Sequence, residues 1–198
     1  LISEQRDLLC ERITIRKSKI SNARVNRYMA TLSTAITTAV KEWEWMGDNP
    51  LRKLSKLKEP RGRVRFLSDS ERERLLTACR QSHNPNLYLT VILAMSTGGR
   101  QSEIWGLRWE CVDLQNGFVT FEETKNDEPR SVPLVGYALE LMMKHSKVHS
   151  IDTDLVFPSR VDCHKHFDFR RPFQMALKEA QIANFRWHDL RHCAASYL

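Results

Sequence analysis

The stretch Ser96-Thr97-Gly98-Gly99-Arg100-Gln101-Ser102-Glu103-Ile104 follows a strongly apolar segment and contains two adjacent glycines. Glycine adopts left-handed backbone conformations at little cost, so the pair predicts a sharp turn at the end of a buried helix. Arg100 then stands at the start of a short second helix, where its guanidinium and nearby amide groups could hold a phosphate. Glu103 lies on the same helical face and could fix the arginine. The motif alone is more typical of an ordinary helix start that carries an incidental Arg–Glu pair.

The residues around this turn predict a mainly helical domain with one small antiparallel sheet. Ser68 and Glu71 have the spacing of a capping box ahead of a helix. Residues 118–121 and 130–133 predict two strands that flank a polar turn. Further helices are predicted at about 21–45, 85–95, 101–107, 136–147, 167–180 and from 188 onward. The expected fold class is therefore α+β, mainly α with a small antiparallel β-sheet.

The segment 51–66 differs in composition from the sequence on either side. Lysine and arginine crowd around Pro60 and Gly62, and few residues are suited to burial. This composition predicts an extended, basic interdomain linker. Such a linker is either a solvated tether or a segment that lies along phosphates between two DNA-contacting domains.

The overall composition limits the class of protein and its compartment. Among the 198 residues, 31 are Lys or Arg and 24 are Asp or Glu, so the formal net charge is +7. This surplus suits a polyanionic partner, although charge alone does not establish one. The five scattered cysteines include no CxxC pair, which indicates a reducing compartment and predicts a cytoplasmic protein. No apolar run is long enough for a membrane span, so no membrane partner is expected.

Two further segments carry residues suited to phosphate chemistry. Lys125 lies at the tip of the predicted hairpin, where its ammonium could be an exposed surface group or a proton donor. His188 and Arg191 are three residues apart on a predicted helix and project from one face. His188 and His192 have the spacing of a zinc-binding helix, but the glutamate of HExxH is absent at Asp189. A polar loop is predicted for Cys163-His164-Lys165-His166, and no metal site is expected.

Taken together, these segments resemble the tyrosine recombinase family, which includes the phage integrases. The resemblance is carried by TGGRQSEIWGLRW (97–109), FEETKNDEPRSVPL (121–134) and WHDLRHCAASYL (187–198), with RVRFLSDSERERLL (63–76) before them. Upstream, SNARVNRYMATLSTAITTAVKEWEWMGDNPL (21–51) is similar to the last helix of the family's core-binding domain. The resemblance implies a partial, SAM-like helical core-binding domain at 1–50, the linker at 51–66 and a catalytic domain at 67–198.

The resemblance also implies a reaction and a set of site residues. In the family, a tyrosine attacks the scissile phosphate and forms a 3′-phosphotyrosyl link, without a metal or nucleotide cofactor. Arg100 and Arg191 match the two arginines that hold the non-bridging oxygens. Lys125 matches the lysine that protonates the leaving 5′-oxygen, and His188 matches the histidine that assists. Glu103 matches an acidic position that supports the first arginine.

The sequence departs from the family pattern at its C-terminal end. The family places another His or Trp, and then the nucleophilic tyrosine, a few tens of residues beyond the HxxR motif, whereas this sequence stops at Leu198. Tyr197 would lie roughly 120° around the helix from Arg191 and is predicted to pack in the core. Core positions are likewise predicted for Tyr28, Tyr88 and Tyr137. We therefore expect the nucleophile beyond residue 198, and a 198-residue chain that binds DNA without cleaving it.

The expected partners are double-stranded DNA and, on that DNA, other protomers in a synaptic tetramer. The resemblance implies that the two domains clamp the duplex, and without DNA the chain is expected to be monomeric. Candidate DNA-contacting residues are Arg24, Arg27, Arg61, Arg63 and Arg65. Two alternatives remain open: a non-catalytic DNA-binding protein derived from a truncated integrase, and a metal-dependent nuclease that a chelator would inactivate.

Overall fold

The computed structural model describes residues 2–13, 18–60, 62–122, 129–148 and 151–197. It divides into two compact units, Leu1–Arg63 and Val64–Leu198. Within the described residues, no helix is both long enough and apolar enough to span a membrane.

The first unit contains two helices, α1 (Ile2–Glu11) and α2 (Asn22–Lys41), and a short 3-10 turn at Pro50–Lys53. Ser21 caps α2 by accepting a hydrogen bond from the backbone N–H of Arg24. Helix α2 ends earlier than the predicted residue 45, because Glu44 adopts a left-handed backbone with φ of 52°. The N–H of Trp45 then bonds the carbonyl of Ala39 at 2.9 Å, which turns the chain back on the helix end.

The first part of the predicted linker is anchored rather than extended and free. Leu51 is buried in the 3-10 turn. The buried Asn26 of α2 donates to the carbonyl of Leu57 at 2.8 Å and to Oε1 of Glu59 at 2.7 Å, and accepts from the Leu57 N–H at 2.9 Å. A buried amide must satisfy its donors and its acceptor, and here it does so with the backbone of Leu57 and the carboxylate of Glu59. Leu51 is thus buried and Leu57 is bonded to α2, whereas most side chains of residues 51–59 are exposed.

Among the described residues, the second unit contains six α-helices and three strands, as the predicted α+β class requires. Its helices are α3 (Asp69–Arg80), α4 (Leu87–Thr97), α5 (Gln101–Trp105), α6 (Gly136–Ser146), α7 (Arg170–Glu179) and α8 (Trp187–Tyr197). Its strands are β1 (Val112–Asp113), β2 (Phe118–Phe121) and β3 (Arg130–Pro133). They form one antiparallel sheet in the order β1-β2-β3, and Phe121 pairs with Arg130. The mainly helical fold with one small sheet is confirmed, and β1 adds a strand that the sequence pattern did not predict.

Helix α4 is the centre of the second unit. Its side chains are apolar on nearly every face, and Leu87, Val91 and Leu93 are fully buried. A helix of this kind is stable only when other elements cover it on all sides, and α3, α5, α6 and α8 pack against it. At the start of α8, Trp187 packs edge-on against Trp105 at a centroid distance of 5.1 Å. These contacts fix the end of α4 relative to α5 and α8.

The predicted capping box at the start of α3 is confirmed and carries an additional ion pair. Ser68 accepts from the N–H of Glu71, and the Glu71 carboxylate accepts from the N–H of Ser68. The guanidinium of Arg65 also pairs with that carboxylate. The Arg65 hydrogen bond, followed by the backbone hydrogen bond from Ser68, lowers the pKa of Glu71 from 4.5 to about 2.

Glu71→Gln is expected to lower the free energy of unfolding at pH 7 by about 1 kcal/mol, the usual scale of a helix cap. Because the folded-state pKa of Glu71 is depressed, its contribution is present above pH 4.5 and is lost as the pH falls toward 2. Denaturant unfolding of both proteins between pH 7 and pH 2 should therefore show their difference shrinking. Glu73→Gln, at an exposed position of the same helix, is the control. A Glu71 difference that is constant down to pH 2 would contradict this account.

Candidate active site

The turn between α4 and α5 depends on its two glycines. Gly98 has a left-handed backbone, with φ of 61°. A Cβ at Gly99 would lie 2.6 Å from Cδ1 of Ile104 and 3.1 Å from Cζ of Phe121, so no larger residue fits without a shift. Thr97 Oγ1 accepts from the Gly99 N–H at 3.2 Å. The predicted sharp turn is therefore present, and it delivers Arg100 to the start of α5.

The Glu103 carboxylate accepts hydrogen bonds from both the backbone and the side chain of Arg100. The carboxylate is 3% exposed, and Oε1 accepts from Nη1 of Arg100 at 2.6 Å. Oε2 accepts from the backbone N–H of Arg100 at 2.7 Å and also from Nη2 of Arg130. Burial acts to raise the pKa of Glu103, but the Arg100 hydrogen bonds and the charges of Arg130 and Arg100 outweigh it and lower the pKa. The carboxylate is therefore ionised at neutral pH.

Arg191 reaches the same turn from α8, 93 residues further along the chain. Its Nη1 donates to the carbonyl of Gly98 at 2.8 Å. Burial, followed by the charges of Arg130 and Arg100, lowers the pKa of Arg191. Three guanidinium groups and one carboxylate thus meet here, so the formal charge of the cluster is +2. Such a concentration of cationic donors is suited to a phosphate group.

His188 lies one helical turn before Arg191 and is exposed. Its ring meets that of His192 edge-on, at a centroid distance of 5.0 Å. The buried Asp189 accepts from the backbone N–H of Arg186 at 2.8 Å, so it caps the start of α8. In the part of the chain that the structure describes, no three His, Cys, Asp or Glu side chains come together as a metal site.

The remaining predicted residues have different surroundings. Lys125 and Arg61 lie outside the described residues. Arg24, Arg27 and Arg63 are exposed. Arg65 pairs with Glu71 and lies over the Phe185 ring at 5.9 Å, with its side chain 28% exposed.

The expectation that the tyrosines pack in the core was wrong for two of them. Tyr28 and Tyr137 are 47% and 46% exposed. Tyr88 is partly buried, and its hydroxyl accepts a hydrogen bond from Arg80 at 2.5 Å. The side chain of Tyr197 lies outside the described part of the chain. Exposure of Tyr28 and Tyr137 follows from their positions at the edge of the apolar stripe on α2 and in the first turn of α6.

Arg130 is the member of the cluster that the sequence analysis did not single out. It begins β3 opposite Phe121, and its guanidinium lies over the Phe121 ring at 5.0 Å. Its sequence position gave one indication: it stands at the start of the second predicted strand, five residues after Lys125. The pairing with Glu103 joins residues 27 apart and depends on how the sheet packs against α5.

Comparisons with known proteins agree with this fold. The model of the phage integrase family matches residues 65–198. The shufflon-specific DNA recombinase of Escherichia coli is 34% identical over 197 residues, which is 98% of this chain and 49% of that protein. The integrase of Salmonella phage P22 is 29% identical over 182 residues, which is 86% of this chain and 46% of that protein. The chain thus spans about half the length of the curated relatives it matches.

Solved structures of integrases share the same architecture. The catalytic domain of bacteriophage HP1 integrase matches with a TM-score of 0.52 and 28% identity, over 68% of this chain and 71% of that one. The Tn1549 transposon integrase in complex with circular intermediate DNA matches 100% of this chain and 72% of that one, with a TM-score of 0.80. Its 16% identity supports the fold alone. On the family match over residues 65–198, this chain belongs to the phage integrase family of tyrosine recombinases.

Proposed function

We propose that this protein cleaves and rejoins DNA strands in site-specific recombination or integration, through a 3′-phosphotyrosyl intermediate. Membership of the phage integrase family supports a role in DNA recombination. The phosphotyrosyl mechanism is supported by the meeting of Arg100 and Arg191 at the Gly98 turn, in a cluster of formal charge +2. The two arginines hold the non-bridging oxygens of the scissile phosphate.

The charge of this cluster suits the chemistry of the step. A tyrosine oxygen attacks phosphorus while the bond to the 5′-oxygen breaks, so the phosphodiester passes from one negative charge to a pentavalent state with about two. Donors fixed before the reaction stabilise the added charge without reorganising. The new phosphotyrosyl bond retains the energy of the broken bond, so rejoining needs no nucleotide cofactor, and no metal is invoked.

Protons are supplied by two further residues in this proposal. Lys125 protonates the leaving 5′-oxygen, as its position in the hairpin motif indicates. His188 hydrogen-bonds the phosphate and assists proton transfer. Its exposure and its place one turn before Arg191 support access to bound DNA.

We assign the nucleophile to a tyrosine that the family pattern places beyond residue 198. Tyr88 supports this assignment, since its hydroxyl is engaged with Arg80. The 198-residue chain by itself then occupies DNA without forming a covalent link, and is monomeric in the absence of DNA. On DNA, recombination proceeds in a synaptic tetramer.

The domain assignment is also part of the proposal. Residues 1–50 act as a partial core-binding domain, 51–66 as the basic connection and 67–198 as the catalytic domain, and the protein works in the cytoplasm. Arg24, Arg27 and Arg63 contact DNA phosphates, supported by their exposure, and Arg61 belongs to the same basic segment.

The phosphate site is tested by the DNA binding of the 198-residue chain. A preferred duplex is selected from a random library, and each phosphate is then replaced in turn by a neutral methylphosphonate. We expect one phosphate per half-site whose replacement weakens wild-type binding about tenfold, because charge-assisted hydrogen bonds are lost. DNA binding by Arg191→Ala should no longer be weakened by replacement of that phosphate, and should still be weakened by replacement of the other contacted phosphates. Arg170→Ala, which removes an exposed guanidinium from α7, should keep the full pattern. A wild-type pattern in Arg191→Ala would contradict the assignment.

The proton donor is tested with the full-length gene product and a nicked duplex carrying the selected site. Lys125→Ala should lose nearly all covalent adduct on ordinary DNA. A 5′-bridging phosphorothiolate leaves as a thiolate and needs no proton, so with this substrate the adduct should return. Arg191→Ala should form little adduct with either substrate, and Lys178→Ala, at an exposed position of α7, should behave as wild type. Failure of the phosphorothiolate to rescue Lys125→Ala would remove the lysine from this role.

A further inference from the structure

Arg130 takes no part in the mechanism derived so far, yet it lies within the cationic cluster. Its Nη2 donates to Oε2 of Glu103, and its charge acts on Arg191. Its side chain is 31% exposed, and its guanidinium lies over the ring of Phe121. The position is fixed by the pairing of β3 with β2, not by the turn that holds Arg100.

The Glu103 carboxylate receives three donors on two oxygens. Oε1 accepts from the side chain of Arg100 at 2.6 Å. Oε2 accepts from the backbone N–H of Arg100 and from Arg130. Arg100 therefore meets this carboxylate through a single guanidinium nitrogen, Nη1. The side chain of Arg100 is 36% exposed.

An arginine and a carboxylate that meet without a competitor commonly form a bidentate pair with two parallel hydrogen bonds. Such a pair would occupy a second Arg100 nitrogen and remove donors that a phosphate needs. Arg130 and the backbone N–H of Arg100 together occupy Oε2, which leaves no free acceptor there for a second side-chain nitrogen of Arg100. Arg130 also keeps the cluster at a formal charge of +2, whereas without it Arg100, Arg191 and Glu103 would sum to +1.

Stability alone does not account for a guanidinium at this position. Arg130 Nε is buried and has no hydrogen-bond partner among the described residues. A buried donor without a partner costs free energy, and such groups in native proteins call for an explanation. The positive charge of Arg130 also lies close enough to that of Arg191 to oppose its protonation. An anion bound at the cluster would offset both the unpaired Nε of Arg130 and the repulsion between Arg130 and Arg191.

We infer that Arg130 is a positioning residue of the phosphate site: by sharing Glu103 it holds Arg100 in place without neutralising it. This inference rests on the proposed function, in which Arg100 and Arg191 bind a phosphate. It assigns Arg130 no contact with the reacting atoms. Arg130 acts through Glu103. When Arg130 is removed, Glu103 is free to form a bidentate pair with Arg100 and competes with phosphate for the Arg100 guanidinium.

The test measures inorganic phosphate binding to the 198-residue chain by nuclear magnetic resonance, through the Nε–H signals of Arg100 and Arg191. Arg130→Met should weaken phosphate binding about tenfold, the scale of a lost charge-assisted hydrogen bond. Arg130→Lys still places a cation on Oε2 and should stay within about threefold of wild type. Arg170→Met removes the same charge from an exposed guanidinium that faces Asp168 at 3.8 Å, and serves as the control.

A second substitution separates positioning from general structural damage. In Glu103→Gln/Arg130→Met the neutral amide no longer competes for Arg100, so phosphate binding should recover most of the loss seen in Arg130→Met. A purely structural role predicts the opposite, since removing both partners would damage the site further. If Arg130→Met does not fold, Arg130→Gln keeps a donor and a stem of similar length for the same comparison.

The outcomes distinguish this inference from the proposed function. If the Nε–H signals of Arg100 and Arg191 in the wild-type chain do not change on addition of phosphate, the phosphate site itself is refuted. Wild-type binding that Arg130→Met leaves unchanged would refute the role of Arg130 alone. A double variant that binds no better than Arg130→Met would also refute it, because competition by Glu103 is the substance of the inference.

Discussion

The burial of α4 is the constraint from which the rest of the second unit follows. This helix has no polar face to present to water, so α3, α5, α6 and α8 must cover it. Its C-terminal end is consequently surrounded, and the carbonyl of Gly98, which the left-handed turn exposes beyond the helix, needs a donor in a partly buried place. Arg191 supplies that donor at 2.8 Å. The hydrogen bond from Arg191 to Gly98 therefore satisfies the end of α4 and also places Arg191 at the turn that carries Arg100.

Three guanidinium groups held together repel one another, and the surrounding residues reduce that cost without removing the charge. The aromatic face of Phe121 lies under Arg130, which stabilises a partly desolvated cation. In the described part of the chain, Glu103 is the carboxylate that pairs with these arginines, and its own burial is offset by hydrogen bonds from Arg100. A second carboxylate would relieve the repulsion further and would also bring the cluster close to neutrality. The local structure therefore keeps a positive excess at some cost in stability, as is common where a protein binds an anion.

Local features of this fold were predictable from sequence, and long-range ones were not. The Gly98 turn, the pairing of Glu103 with Arg100 and the capping box of Ser68 and Glu71 all join residues within a few positions, where helical spacing decides the geometry. The approach of Arg191 to Gly98 spans 93 residues, and only the family resemblance indicated it. Arg130 was missed because its partner depends on strand register and on packing against α5. The attachment of residues 57–59 to α2 also depends on a long-range contact, because the buried amide of Asn26 bonds the backbone of Leu57 and the carboxylate of Glu59.

If the cluster acts as proposed, its excess charge favours reaction over mere binding. Coulombic attraction grows with the charge on the bound group, so a cluster of formal charge +2 gains more from a phosphate near two negative charges than from a diester with one. Only this difference accelerates the step, because equal stabilisation of both states leaves the barrier unchanged. If Arg100 formed a bidentate pair with Glu103 in a cluster of formal charge +1, the many other basic residues of the chain would still attract DNA. The cluster would, however, lose its preference for the pentavalent state over the diester. Sharing of Glu103 between Arg100 and Arg130 therefore bears on the barrier more than on affinity for DNA.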